Sequence, residues 1–207
     1  MILFGINFNV YYLFRAKKPL QALKCEEMRY YLGIILAAVV LIAVNIRGSF
    51  DSLFEAFHHA AFQVASIITT TGYSTADFNL WPQFSKVILV LLMFVGACAG
   101  STGGGIKVSR IVIMMKMVKN ELSHLIHPNR VRQVSFENRV VNKEVLRSIS
   151  VFFIAYIMIY GVSLLLISLD NLDFTTNFTA VAATLNNIGR GLEQVGPSAN
   201  FSVFAQP

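Results

Sequence analysis

Charged residues are absent from three stretches of the chain, Tyr30 to Ile46, Val87 to Ile106 and Ser148 to Leu169. Each approaches or reaches the roughly 20 apolar residues that cross about 30 Å of hydrocarbon at 1.5 Å per residue. The first, with 17 residues, is near the lower limit. The pattern predicts membrane-spanning helices. Met1 to Phe14 is also apolar but too short to span, and it lacks the basic start and small-residue cleavage site of a signal peptide. It reads as the tail end of a helix that begins upstream. No span follows Phe201, so the sequence is expected to be a piece of a larger protein.

Composition strengthens the membrane reading. Apolar residues make up 55% of the 207 and charged residues 14%, and mean hydropathy is +0.60. A soluble domain carries about 25% charged residues, so this chain has too little polar material to clothe a water-facing surface. Disordered, collagen-like and disulfide-scaffold classes are excluded too, since the two cysteines, Cys25 and Cys98, lie far apart. Of the 17 Lys and Arg, five fall between Arg15 and Arg29 and nine between Lys107 and Arg147. By the positive-inside rule these two connections are cytoplasmic. Asp51, Glu55, Asp77, Asp170, Asp173 and Glu193 lie on the opposite side, where negative charge would concentrate cations. The pI of about 9.5 thus reflects topology, and nucleic acid is not an expected partner.

Two blocks share one order of features. In the first, the span Leu32 to Ile46 is followed by the acidic connection Asp51 to Glu55, a short run Ala56 to Ser66, and the turn Thr69-Thr70-Thr71-Gly72-Tyr73. In the second, the span Ile149 to Leu169 is followed by Asp170 to Asp173, Thr175 to Leu185, and Asn186-Asn187-Ile188-Gly189. Leu32 and Ile149 are 117 residues apart, and so are Gly72 and Gly189. Non-helical backbone at membrane depth must line a cavity, because its polar groups cannot face lipid unpaired. A short re-entrant helix leading to a Gly-bearing turn can aim carbonyl oxygens at an aqueous axis, where they replace a cation's hydration shell. An ordinary extracellular loop is the alternative, and the repeat disfavours it.

The second span is interrupted. Val87 to Ala99 is helix-friendly, and Gly100, Ser101, Thr102, Gly103, Gly104 and Gly105 then break it, with an apolar run resuming at Ile106 to Val118. Glycine costs roughly 1 kcal/mol relative to alanine in a helix. A phosphate-binding loop does not fit: Ile106 separates Gly105 from Lys107, and Val108 stands where Ser or Thr is needed. A discontinuous helix at membrane depth fits better, because broken helices recur at ion pathways. Packing glycines in a plain helix bundle are the bland alternative.

Together, Thr69 to Phe78 (TTTGYSTADF), Trp81-Pro82, Met93 to Gly96, Gly100 to Lys107 (GSTGGGIK), His127-Pro128 and Leu185 to Gly191 (LNNIGRG) resemble the TrkH/KtrB superfamily of potassium-uptake membrane proteins. The resemblance implies an all-α membrane protein in which repeated transmembrane helix–pore helix–filter loop–transmembrane helix units surround a pseudo-fourfold pore. It implies that residues 1–29 end the second unit and add a cytoplasmic linker, 30–122 form the third unit with a broken second helix, 123–142 form a cytoplasmic linker, and 143–207 form the fourth unit without its last helix. Thr70, Thr71, Gly72 and Tyr73 then match the third filter segment, and Asn187, Ile188 and Gly189 the fourth. Gly100 to Gly105, with Lys107, match an intramembrane gating loop beneath the filter. Arg190 departs from the family's usual proline. A cation beside the outer mouth would repel potassium, by about 1 kcal/mol at 4 Å in water, unless it pairs with Glu193.

The implied activity is potassium uptake through a channel-like pore, with potassium as cargo and no cofactor in the chain. Proton- or sodium-coupled symport and a non-functional truncated copy are the alternatives. A carrier would need an ionisable residue in the membrane to bind its coupling ion, and the charge-free spans hold none. Implied partners are a second copy of the chain and a cytosolic ring of nucleotide-binding regulatory subunits resembling TrkA and KtrA. Arg130, Arg132 and Arg139 are expected to meet that ring. Anionic lipid heads also suit the basic connections. The implied location is the inner (plasma) membrane, crossed several times. His58-His59 and the His124, His127 pair lack further ligands at metal spacing, so no metal besides potassium is expected. Asn177 and Asn200 head glycosylation sequons on the outer side. No Ser/His/Asp or paired-carboxylate arrangement suggests an enzyme.

Overall fold

A computed structural model describes residues 1–17, 24–127 and 133–196. Arg130, Arg132, Pro128 and Asn200, which carry sequence expectations above, lie outside the described residues. Seven α-helices are described: α1 (Phe8–Arg15), α2 (Glu26–Ile46), α3 (Leu53–Ile68), α4 (Gln83–Phe94), α5 (Val108–Ile126), α6 (Lys143–Ile167) and α7 (Phe174–Leu185). The architecture is that of an all-helical membrane protein. With their short 3₁₀ extensions, α2 runs through Ser49 over 24 residues and α6 through Asp170 over 28, and both are apolar enough to cross a bilayer.

α2 begins before its charge-free stretch. Glu26 and Glu27 occupy its first turn, where acidic side chains complement the positive end of the helix dipole. Its buried stripe, Tyr31, Ile35, Ala38, Ile42 and Ile46, follows the spacing of one helical face. Against it packs α3, whose Ala56, Ala60, Val64 and Ile67 repeat at intervals of three or four. Ser52 starts α3 by accepting from Glu55 N at 3.3 Å, and Asp173 starts α7 by accepting from Thr175 N at 2.9 Å, each satisfying an orphan amide of the first turn. α6 is apolar nearly all round and buries only Ile149, the character of a helix that faces lipid or further helices.

Three sequence expectations change. Helix α4 stops at Phe94 instead of continuing to Ala99, because Val95 runs extended and forms a parallel bridge with Ile106. Gly96 N donates to Ile106 O at 2.7 Å, and Val108 N donates to Ala97 O at 3.2 Å. A Cβ on Gly96 would collide with Gly104 O, so glycine permits this close approach. Second, Met1 to Phe14 is not one helix. A 3₁₀ turn, Ile2–Gly5, gives way at extended Ile6 and Asn7, and the Asn7 side chain caps α1 at Asn9 N. The break holds Gly5 O against Cys98 N at 2.9 Å. Third, the basic connection after α5 contains a hairpin, Ser135–Phe136 paired with Arg139–Val140. Its two turn residues, Glu137 and Asn138, have φ of 54° and 59°, the type I′ geometry that matches strand twist.

Candidate functional site

The two Gly-bearing turns have the same internal geometry. At the end of α3, Thr69 N donates to Ala65 O (3.1 Å), Thr70 N to Ile67 O (3.0 Å), and Thr71 N and Gly72 N both to Ser66 O (2.8 and 3.5 Å). At the end of α7, Asn186 N donates to Ala182 O (3.2 Å), Asn187 N to Thr184 O (3.0 Å), and Ile188 N and Gly189 N both to Ala183 O (2.7 and 3.3 Å). Every donor and acceptor recurs 117 positions on. So does the backbone: φ is positive at Thr70 (54°) and Asn187 (58°), and again at Gly72 (75°) and Gly189 (89°). The helices compensate for each other around this offset, since α6 has 25 residues against 21 in α2, and α7 has 12 against 16 in α3.

The shared geometry has a consequence for the carbonyls. In a trans peptide the C=O opposes the following N–H. Amides turned back onto Ser66 O therefore point the carbonyls of Thr70 and Thr71 away from α3. Those of Asn187 and Ile188 point away from α7 for the same reason. The two turns meet, because a Cβ on Gly72 would collide with Ile188 O. Gly72 is thus restricted twice, by its left-handed backbone and by its neighbour. Tyr73 is exposed, with its carbonyl held by Ser66 Oγ at 2.5 Å.

The broken-helix loop lies against both turns. Gly104 N donates to Thr70 Oγ1 at 2.8 Å, and a Cβ on Gly104 would come within 2.5 Å of Asn186 O. On Gly103, a Cβ would stand 3.5 Å from Thr69 O. Gly100 and Gly105 turn the loop at φ of 72° and 68°, Ser101 Oγ donates to Cys98 O at 2.6 Å, and Lys107 Nζ donates to Gly103 O. Thr102 is exposed. Sequence reasoning singled out these residues separately, and the fold brings Gly103, Gly104 and Lys107 together with Thr70 and the Asn186–Asn187 turn.

Arg190 reaches the other unit. Its Nη1 donates to Ser74 Oγ at 2.8 Å, so the arginine links the segments that follow the two turns. Glu193, the alternative partner for Arg190, lies 3.9 Å from Lys86. Glu193 N is held by Asn79 Oδ1 at 2.9 Å.

Sequence reasoning missed two contributors. Tyr156 on α6 donates to Asn186 Oδ1 at 3.0 Å, while Asn186 Nδ2 donates to Ala182 O at 2.8 Å. This braces the second turn from behind. Glu27 is 3% exposed and accepts from Ala99 N at 2.6 Å and Ser109 N at 3.2 Å. The available signal for Glu27 was an acidic residue three positions before a charge-free span. Among the described residues no group of three or more His, Cys, Asp or Glu could hold a metal. His59 is spent on Thr75 and on stacking with Phe50. Asn177, head of one sequon, is buried in α7.

Two helix-and-turn units with matching turns, packed against a discontinuous helix, make up an all-helical membrane protein of the transporter class. The TrkH family, described as a cation transport protein, matches residues 28–206, and the chain belongs to that family. It is 35% identical over 195 residues to the Trk system potassium uptake protein TrkH of Salmonella typhimurium, covering 93% of this chain and 40% of that protein. To the Trk system potassium uptake protein TrkI of Halomonas elongata it is 30% identical over 204 residues, covering 98% and 41%. The crystal structure of the potassium transporter TrkH from Vibrio parahaemolyticus superposes with a TM-score of 0.86 at 34% identity, over 94% of this chain and 42% of that one. The chain therefore spans about two-fifths of the length of the relatives it matches.

Proposed function

We propose that the chain supplies part of a potassium-uptake pore whose carbonyl-lined filter includes Thr70 to Tyr73 and Asn187 to Gly189, with Gly100 to Lys107 as a gate beneath it. The observation that carries this reading is the duplicated turn. The same hydrogen bonds and left-handed residues in two units turn the carbonyls of Thr70, Thr71, Asn187 and Ile188 away from their helices, and a Cβ on Gly72 would meet Ile188 O. Carbonyl rings of this kind substitute for a cation's water shell without covalent chemistry. Residues 30–122 and 143–207 are the third and fourth of four such units in this reading, joined by the linker 123–142, and 1–29 close the second. Potassium is the cargo, and the chain needs no resident cofactor. The protein sits in the plasma membrane with its basic connections in the cytoplasm. It pairs with a second copy and rests on a nucleotide-binding ring, which Arg139 and its neighbours Arg130 and Arg132 meet.

The test is ion flux through the full-length protein in liposomes. Gly72→Ser should lower potassium preference over sodium, because a side chain there pushes the Ile188 carbonyl off the axis. Unchanged preference with normal insertion would reduce Gly72 to an ordinary turn residue and remove the filter reading.

A further inference from the structure

We infer that Glu27 is a positioning residue that clamps the Val95–Lys107 loop in place, and that the hairpin tip at Glu137 sets the position of the clamp. This rests on the reading of that loop as a gate. One carboxylate oxygen, Oε1, takes the amide of Ala99 before the glycine run and the amide of Ser109 after it, at 2.6 and 3.2 Å. A single buried atom therefore ties the two stems of the loop together. Ser109 lies in the first turn of α5, where amides have no partner within the helix and the dipole favours an anion. The other oxygen, Oε2, takes Asn7 Nδ2 at 3.5 Å. Asn7 in turn lies against Gly100, where a Cβ would stand 3.2 Å from Asn7 Oδ1. Bonds from neutral amides to an ionised acceptor are about twice as strong as neutral ones.

The same residue is held from the cytoplasmic side by its backbone. Glu137 Oε1 accepts from Glu27 N at 3.2 Å and from Cys25 Sγ at 3.1 Å. Glu137 N donates to Glu26 Oε2 at 3.2 Å. Lys116 on α5 completes the joint, with Nζ 2.5 Å from Glu26 Oε1 and 2.8 Å from Ser135 O. The left-handed turn at Glu137 and Asn138 fixes how the tip presents its carboxylate. Displacing the hairpin would thus shift the first turn of α2 and, through the Glu27 side chain, both stems of the loop. A coupling of this kind needs no contact with the filter itself.

The experiment uses the full-length protein in liposomes without any regulatory subunit, and compares Glu27→Gln and Glu137→Gln with the unsubstituted protein. Glu27→Gln keeps length and shape but loses the charge. It should raise basal potassium flux about tenfold, equivalent to about 1.4 kcal/mol on the gate equilibrium, with the potassium-to-sodium ratio unchanged. Hydrogen exchange at Ala99 and Ser109 should quicken about tenfold. Glu137→Gln, on an exposed tip, should act in the same direction by about threefold, and it carries the test alone if Glu27→Gln does not insert. Exchange at Ala99 and Ser109 equal to the unsubstituted protein in every variant that inserts would overturn the clamp. A changed ion ratio would also overturn it, by placing Glu27 in the filter. Absence of potassium flux in the unsubstituted protein would refute the pore reading instead, while the exchange measurement would still decide the clamp.

Discussion

Gly72 offers the sharpest quantitative test of the converging turns. Alanine there must adopt φ near 75°, which costs roughly 1–2 kcal/mol for a residue with a Cβ. Its methyl would also overlap Ile188 O, and restoring an ordinary C···O approach of about 3.3 Å requires that carbonyl to retreat by roughly 1 Å. In the proposed filter, a carbonyl displaced that far would no longer match its partners around an ion. Gly33 provides the control. It lies within α2 with open space where a Cβ would go, so Gly33→Ala should stabilise the helix by up to about 1 kcal/mol. Thermal unfolding in detergent should therefore move in opposite directions for the two variants. Paired potassium and sodium flux measurements should show reduced preference in Gly72→Ala alone. Equal unfolding temperatures and equal ion ratios for the two alanines would refute the claim that Gly72 is fixed by its neighbour.

Arg190→Pro should raise cation flux, and more so at low ionic strength, because salt screens exposed charge over roughly 8–10 Å near physiological strength. A lower flux in a stopped-flow or tracer assay would mean that the Arg190–Ser74 bond across the units outweighs the repulsion. Tyr156→Phe leaves Asn186 Oδ1 without its hydroxyl donor, which should cost about 1–3 kcal/mol at a buried acceptor. Thermal unfolding checks this, and an unaltered midpoint would show that the brace contributes nothing. Burial pushes the Cys25 thiol up to about 11, with the Glu137 hydrogen bond and charge adding to the rise. Since the thiolate is the reactive form, alkylation should be slow at pH 8 and quicken about tenfold per pH unit toward 11. Glu137→Gln should lower that pKa and accelerate the reaction at fixed pH, and an identical rate would remove the tip from contact with Cys25.

Much of the local architecture was legible in residue order because it depends on local physics. Charge-free runs betray spans, since a bilayer penalises charge most strongly at the middle of a helix that crosses it. The offset of 117 linking Gly72 and Gly189 exposed the repeat because left-handed turns accept few residue types, and the duplicated hydrogen bonds are internal to each turn. The glycine run at Gly100 to Gly105 announced an interrupted helix for the same reason. Other features were decided by contacts between distant segments. Val95 left the helix early because Ile106, eleven residues on, offered it a backbone partner. Met1 to Phe14 broke at Asn7 because Gly5 and Phe8 bond to the loop around Cys98 and Gly100. Arg190 turned to Ser74 because the two units face each other, a fact no spacing along the chain records. Glu27 resembled a solvated first-turn acid in sequence, and only the folding of Ala99 and Ser109 onto it made it a buried acceptor. Hydrogen-bond donors that arrive from 72 and 82 residues away leave no periodic trace in the residues that receive them.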